Sequence, residues 1–324
     1  MKQNPSIQTD IFDDLRAGFA HVAAQARHVH IRRDRLDDYA ALLQERHPSS
    51  VFDTYHHYIG KPEDTAAYVL ALDAINYGSG YKPVLVAEGW PLIEGSIYYS
   101  VATRLKRAFE RKPLTAADLA TISAERVRDI LGMPVAPRSM RLCTLFAEGL
   151  RDLGCMVMQN HQGSFLEFIA FARGSAAAVV ERLAQLPQFR DVHDYRGVPV
   201  AFYKRAQIAA ADLHLSFNRL GRNLFHDMHR LTMFADNGVP QVLEADGVLE
   251  YAPELKARIL KGEEIASGSE EEIEIRGCGA QVVEEIARRT GKTAVQIDHA
   301  LWHRHADVPA YKSRPSHKTL CVFY

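Results

Sequence analysis

Apolar residues return every three or four positions along most of this chain, and that spacing constrains its fold more than any other feature. The period is that of a helix burying one face. From Ile11 to Gln44 it is kept by Phe12, Leu15, Phe19, Val22 and Ala26, then by Leu36, Tyr39, Leu42 and Leu43. From Thr65 to Asn76 it is kept by Ala66, Val69, Leu70, Leu72 and Ile75, and from Gly95 to Phe109 by Ile97, Tyr98, Val101, Leu105 and Phe109. The same reading predicts helices at about 138–154, 164–172, 175–186, 203–220, 239–248, 255–260, 270–289 and 294–305. Only Tyr81–Val86, Val192–Tyr195 and Val198–Phe202 read as strands, the last two flanking an Arg196-Gly197 turn. The expected class is therefore mainly α with a few short strands. No repeat or long linker divides residues 1–324, so one unit is expected, with an N-terminal helical part over about residues 1–60.

Charge narrows the partners. Lys plus Arg number 39 against 40 Asp plus Glu, a net charge of −1, whereas a protein built to grip duplex nucleic acid carries a basic excess. The balance argues for a small ligand and against a stable nucleic-acid partner. Cys143, Cys155, Cys278 and Cys321 form no Cys-x-x-Cys pair, and the polar start Met1-Lys2-Gln3-Asn4-Pro5 lacks a secretory apolar core. No window is apolar enough to span a membrane. These features predict a cytoplasmic protein with reduced thiols.

The chemistry concentrates in a few stretches. In Thr232-Met233-Phe234-Ala235-Asp236-Asn237-Gly238-Val239-Pro240, an acid follows an apolar run and precedes a turn dipeptide, with Pro240 near a helix start. Asp236 is thus expected half-buried at a helix N-terminus, where free N–H groups favour a carboxylate; the plain alternative is an N-cap. Lys204 and Arg205 open a helix after a buried strand, a combination suited to an anion, or simply to a solvated surface. Glu271 to Gly279 carries Gly277 and Gly279 before an apolar run, the outline of a helix–hairpin–helix turn that a Glu274–Arg276 pair would lock. Asp298 and Trp302 are four apart, as are His299 and His303. Two histidines at that spacing suit zinc, but the Glu of His-Glu-x-x-His is missing, so no metal is expected. A carboxylate beside a tryptophan suits the paired N–H edge of a guanine-like base, with the ring covering its face. Gly-x-Ser-x-Gly, Walker A and Gly-x-Gly-x-x-Gly patterns are all missing, and no cofactor is implied.

Taken in order, Phe-Tyr-Lys-Arg-Ala-Gln-Ile at 202–208, Thr-Met-Phe-Ala-Asp at 232–236, Pro-Gln-Val-Leu at 240–243, Glu-Ile-Arg-Gly-Cys at 274–278, Ile-Asp with Leu-Trp at 297–302 and the aromatic end Cys-Val-Phe-Tyr resemble the queuosine salvage protein family, over about residues 60–324. The resemblance implies a helical fold related to helix–hairpin–helix DNA glycosylases. It also implies cleavage of the N-glycosidic bond of queuosine 5′-monophosphate, releasing queuine. By position, it implies Asp236 as the catalytic acid, Phe234 and Ala235 in the base pocket, Asp298 as the base-binding acid and His47 as a pocket histidine. His299 stands where the family commonly has an aromatic, and His303 where it commonly has an acid that would pair with the ligand's amine. Lys204 and Arg205 are the expected 5′-phosphate ligands, with Arg314, His317 and Lys318 behind them. The rival readings are a DNA base glycosylase and a non-catalytic binder of modified bases.

Overall fold

Helix starts follow from local chemistry. In the computed structural model, which describes residues 10–44 and 52–324, Asp10 accepts from the N–H groups of Phe12 and Asp13 and opens the Ile11–Gln25 helix. Ser96 does the same for Ile97–Arg111, Ser269 for Glu270–Thr290, and Thr293 with Gln296 forms a capping box for Ala294–Asp307. Pro62, Pro137 and Pro253 sit in the first turns of Pro62–Ala74, Pro137–Asn160 and Pro253–Leu260, where a missing N–H costs nothing. The class is mainly α. Among the described residues the strands form two small antiparallel sheets, and no helix is long and apolar enough to cross a membrane.

The Glu270–Thr290 helix runs through the core, packed against the Ile11–Gln25, Leu36–Gln44 and Ala294–Asp307 helices. It replaces the expected hairpin: Gly277 and Gly279 lie inside one unbroken helix. Glycine serves close approach here, since a Cβ on Gly277 would stand 2.7 Å from Val22 Cγ1. Glu274 and Arg276 do not pair. Glu274 Oε2 accepts from the N–H groups of Arg27, His28 and Val29, and its Oε1 accepts from the Tyr195 hydroxyl.

Other differences have equally local causes. Helix does not continue from Ile11 to Gln44; Val29–Ile31 is a strand paired with Leu249–Tyr251, in the register Val29↔Tyr251 and Ile31↔Leu249. The helix expected at 239–248 is Gly238–Ala245, and Gly247, at φ 72°, turns the chain so that Leu249 joins that strand. Tyr81–Val86 is no strand: Pro83 lies in the first turn of a Lys82–Ala87 helix. Val192–Tyr195 and Val198–Ala201 pair as the alternation and the Arg196-Gly197 turn predict.

Candidate active site

Residues 232–236 form a strap whose backbone is pinned nearly residue by residue. The Thr232 N–H donates to Gln207 Oε1 at 2.9 Å, and that of Phe234 to Asp298 Oδ1 at 3.0 Å. The Ala235 carbonyl accepts from Arg276 Nε at 3.0 Å. Asp236 Oδ1 accepts from the N–H groups of Gly238 and Val239 at 2.8 and 3.3 Å, so it satisfies the first free N–H groups of the Gly238–Ala245 helix. Asp236 is thus tied to the helix start without being its N-cap, which is Asn237; it is buried, lines a cavity and turns Oδ2 toward Lys204 Nζ at 3.9 Å.

The anchors are themselves held. Arg276 is fully buried, bidentate to Asp191, bonded to Glu272 at 3.1 Å, and sandwiched between the Phe202 and Tyr324 rings. Burial works against its charge, but the two carboxylates outweigh it and raise its pKa. The Tyr324 hydroxyl donates to Glu272, so the aromatic chain end belongs to the same cluster. Lys204 is aimed by its neighbour: Tyr203 sits at φ 47°, a left-handed turn that swings the chain from the Val198–Ala201 strand into the Lys204–Arg219 helix.

The cavity encloses about 480 Å³, within the range of small-ligand sites. Lys204, Phe234, Asp236, Asp298, His299, Trp302 and His303 all line it. Burial, reinforced by the Asp236 carboxylate, raises the Asp298 pKa well above the carboxylate range. Burial lowers that of Lys204 while Asp236 opposes the shift. Burial and His303 bring His299 down to about 4, so its ring is neutral.

Other expectations fail. Arg205 is turned away: its guanidinium donates to the carbonyls of Asp73, Ala74 and Gln188 and lies over Tyr77 and Phe189. Ala235 does not line the cavity; its carbonyl, not its side chain, is in use. Arg314, His317 and Lys318 do not line it either. Arg314 faces Glu244, and His317 hydrogen-bonds Tyr324. His47 lies outside the described residues.

Several lining residues escaped the sequence reading, among them Asp53, Glu94, Tyr98 and Tyr99. Nothing local marks them, since Asp53 and Glu94 meet only through His56, whose ring nitrogens lie 2.6 and 3.3 Å from their oxygens. Asp212 was legible: Lys204, Ile208, Asp212 and Leu215 share one helix face, and all four line the cavity. The one metal-like grouping among the described residues, His28, Glu270 and Glu274, lies elsewhere. Its Glu274 is saturated by N–H and O–H donors, and Arg196 already pairs with both acids.

Residues 56–324 match the pattern of the queuosine salvage proteins. A protein of Sphaerobacter thermophilus named queuosine 5′-phosphate N-glycosylase/hydrolase is 36% identical over 317 residues, 94% of this chain and 95% of its own length. Proteins of the same name from Dictyostelium discoideum and Mus musculus are each 32% identical, over 96% and 82% of this chain and 98% and 83% of their own lengths. On the family match and these near full-length relatives, the chain belongs to the queuosine salvage protein family.

Proposed function

We propose that this chain hydrolyses the N-glycosidic bond of queuosine 5′-monophosphate, releasing queuine for salvage into tRNA modification. The observation that carries the reading is Asp236: a buried carboxylate fixed by two N–H donors at a helix start, with its second oxygen directed at Lys204 at the wall of a cavity. As the base departs, positive charge builds on the ribose, and a fixed carboxylate in a dry site stabilises it more than water does. Asp236 then acts as stabiliser or nucleophile. Because the strap is held on both sides, it pays little reorganisation energy when that charge appears.

In this reading Asp298 receives the N–H edge of the deazaguanine, with Phe234 and Trp302 against its face. Phe234 is positioned by the very carboxylate that binds the base, since its N–H already occupies Asp298 Oδ1. Lys204 supplies charge for the 5′-phosphate. The chain is read as one unit, because residues from Phe52 to Tyr324 line a single cavity, and as a cytoplasmic enzyme.

The test offers purified protein queuosine 5′-monophosphate, queuosine and duplex DNA, and follows free base by chromatography. Base release from the monophosphate, slower release from the nucleoside and none from DNA are expected. Release from DNA, or stoichiometric binding of the monophosphate without release, contradicts the reading.

A further inference from the structure

Among the described residues, five side-chain carboxylates line the cavity: Asp53, Glu94, Asp212, Asp236 and Asp298. Asp53 and Glu94 share His56, Asp236 holds the first N–H groups of a helix beside Lys204, and Asp298 accepts from Phe234. Asp212 has no hydrogen-bond or ion-pair partner among the described residues. Its charge acts on Asp73, wholly buried, with Oδ1 held by Asn76 Nδ2 at 3.2 Å and Oδ2 without a hydrogen-bond partner among the described residues. Burial raises Asp212 to about 7, and burial with the Asp212 charge raises Asp73 well above the carboxylate range. With Asp73 wholly buried and Asp212 half-buried at the cavity wall, the two acids do not both stay charged unless a cation joins them. The Arg205 guanidinium, spent on backbone carbonyls that include that of Asp73, and Lys204 both lower the Asp73 pKa, but among the described residues no cation pairs with Asp212. Lys204 is two helical turns away, roughly 12 Å along the axis, and is engaged with Asp236.

We propose that Asp212 is a specificity-determining residue that receives the one positive charge of the substrate, the secondary ammonium on the side arm of the deazaguanine. The assignment rests on the substrate reading above. Among the described side chains of the helix that carries Asp298, the cavity receives no second acid: beyond Asp298 they are His299, Trp302, His303, His305 and Ala306. An ammonium seated on Asp212 neutralises a carboxylate that is otherwise costly to ionise, so its binding energy is available only to ligands that bear the arm.

The test compares kcat/KM for queuosine 5′-monophosphate and for 7-deazaguanosine 5′-monophosphate, which lacks the arm, in wild type, Asp212→Asn and Asp212→Glu. A hydrogen bond to a charged group is worth about 1.5–3 kcal/mol, so the ratio of the two constants should fall about tenfold to a hundredfold in Asp212→Asn, chiefly through KM, and recover in part in Asp212→Glu. An unchanged ratio in a folded Asp212→Asn protein overturns the proposal. If wild type cleaves neither nucleotide, the substrate reading fails and not this assignment. Equilibrium binding of queuine against 7-deazaguanine then decides: selective loss of queuine affinity in Asp212→Asn supports the role, and parallel affinities overturn it.

Discussion

Lys204 and Arg205 are adjacent in the chain and opposite in purpose. One residue along a helix is a rotation of about 100°, enough to send Lys204 to the cavity and Arg205 to the core. Read as a pair of cations, the two look interchangeable; read by period, Lys204 groups with Ile208, Asp212 and Leu215. Removing the guanidinium in Arg205→Met strands three carbonyls, those of Asp73, Ala74 and Gln188, and is expected to cost about 3 kcal/mol or more in denaturant unfolding. The preference for monophosphate over nucleoside should not change. Lys204→Ala should do the reverse, lowering that preference about tenfold while the fold persists, in keeping with loss of one charged contact. If the two variants exchange these outcomes, the phosphate is bound on the core side and the cavity is misassigned.

Among elements, the Glu270–Thr290 helix shows how far local sequence reaches. Its apolar spacing was legible, but glycines at 277 and 279 looked like a turn because their reasons lie far off in the chain: Val22 of the Ile11–Gln25 helix stands against Gly277, and Pro240 and Met233 stand against Gly279. Helix propensity alone predicts that Gly277→Ala stabilises by about 1 kcal/mol. The approach to Val22 predicts the opposite sign, a loss of about 1–3 kcal/mol, and thermal unfolding of this variant distinguishes the two. The strand Val29–Ile31 was hidden for a similar reason, its partner being Leu249–Tyr251. The hairpin at 192–201 was legible because both strands and their turn are contiguous.

At the scale of the whole molecule, stability is traded for a cavity rich in acids. Asp212 has a folded pKa raised to about 7, so the folded state holds its proton where the unfolded chain, near 3.8, has lost it. The stability this brings is complete below the unfolded pKa and is lost as pH rises through about 7. Asp212→Asn keeps the shape without that loss, so its melting temperature relative to wild type should climb between pH 5 and pH 8; a pH-independent difference would mean that Asp212 titrates normally. The strap at 232–236 was legible as a candidate site from Asp236 and Asp298, whereas its supports, Gln207 and the Asp191–Arg276–Glu272 cluster, come together only in three dimensions. The central claim is that the Asp236 carboxylate carries the chemistry, and single-turnover release of base by Asp236→Asn tests it most directly, because asparagine retains an oxygen to accept from the first N–H groups of the Gly238–Ala245 helix. The account predicts a protein that melts like wild type and releases base on the order of a hundredfold more slowly or worse; release at close to the wild-type rate would contradict it.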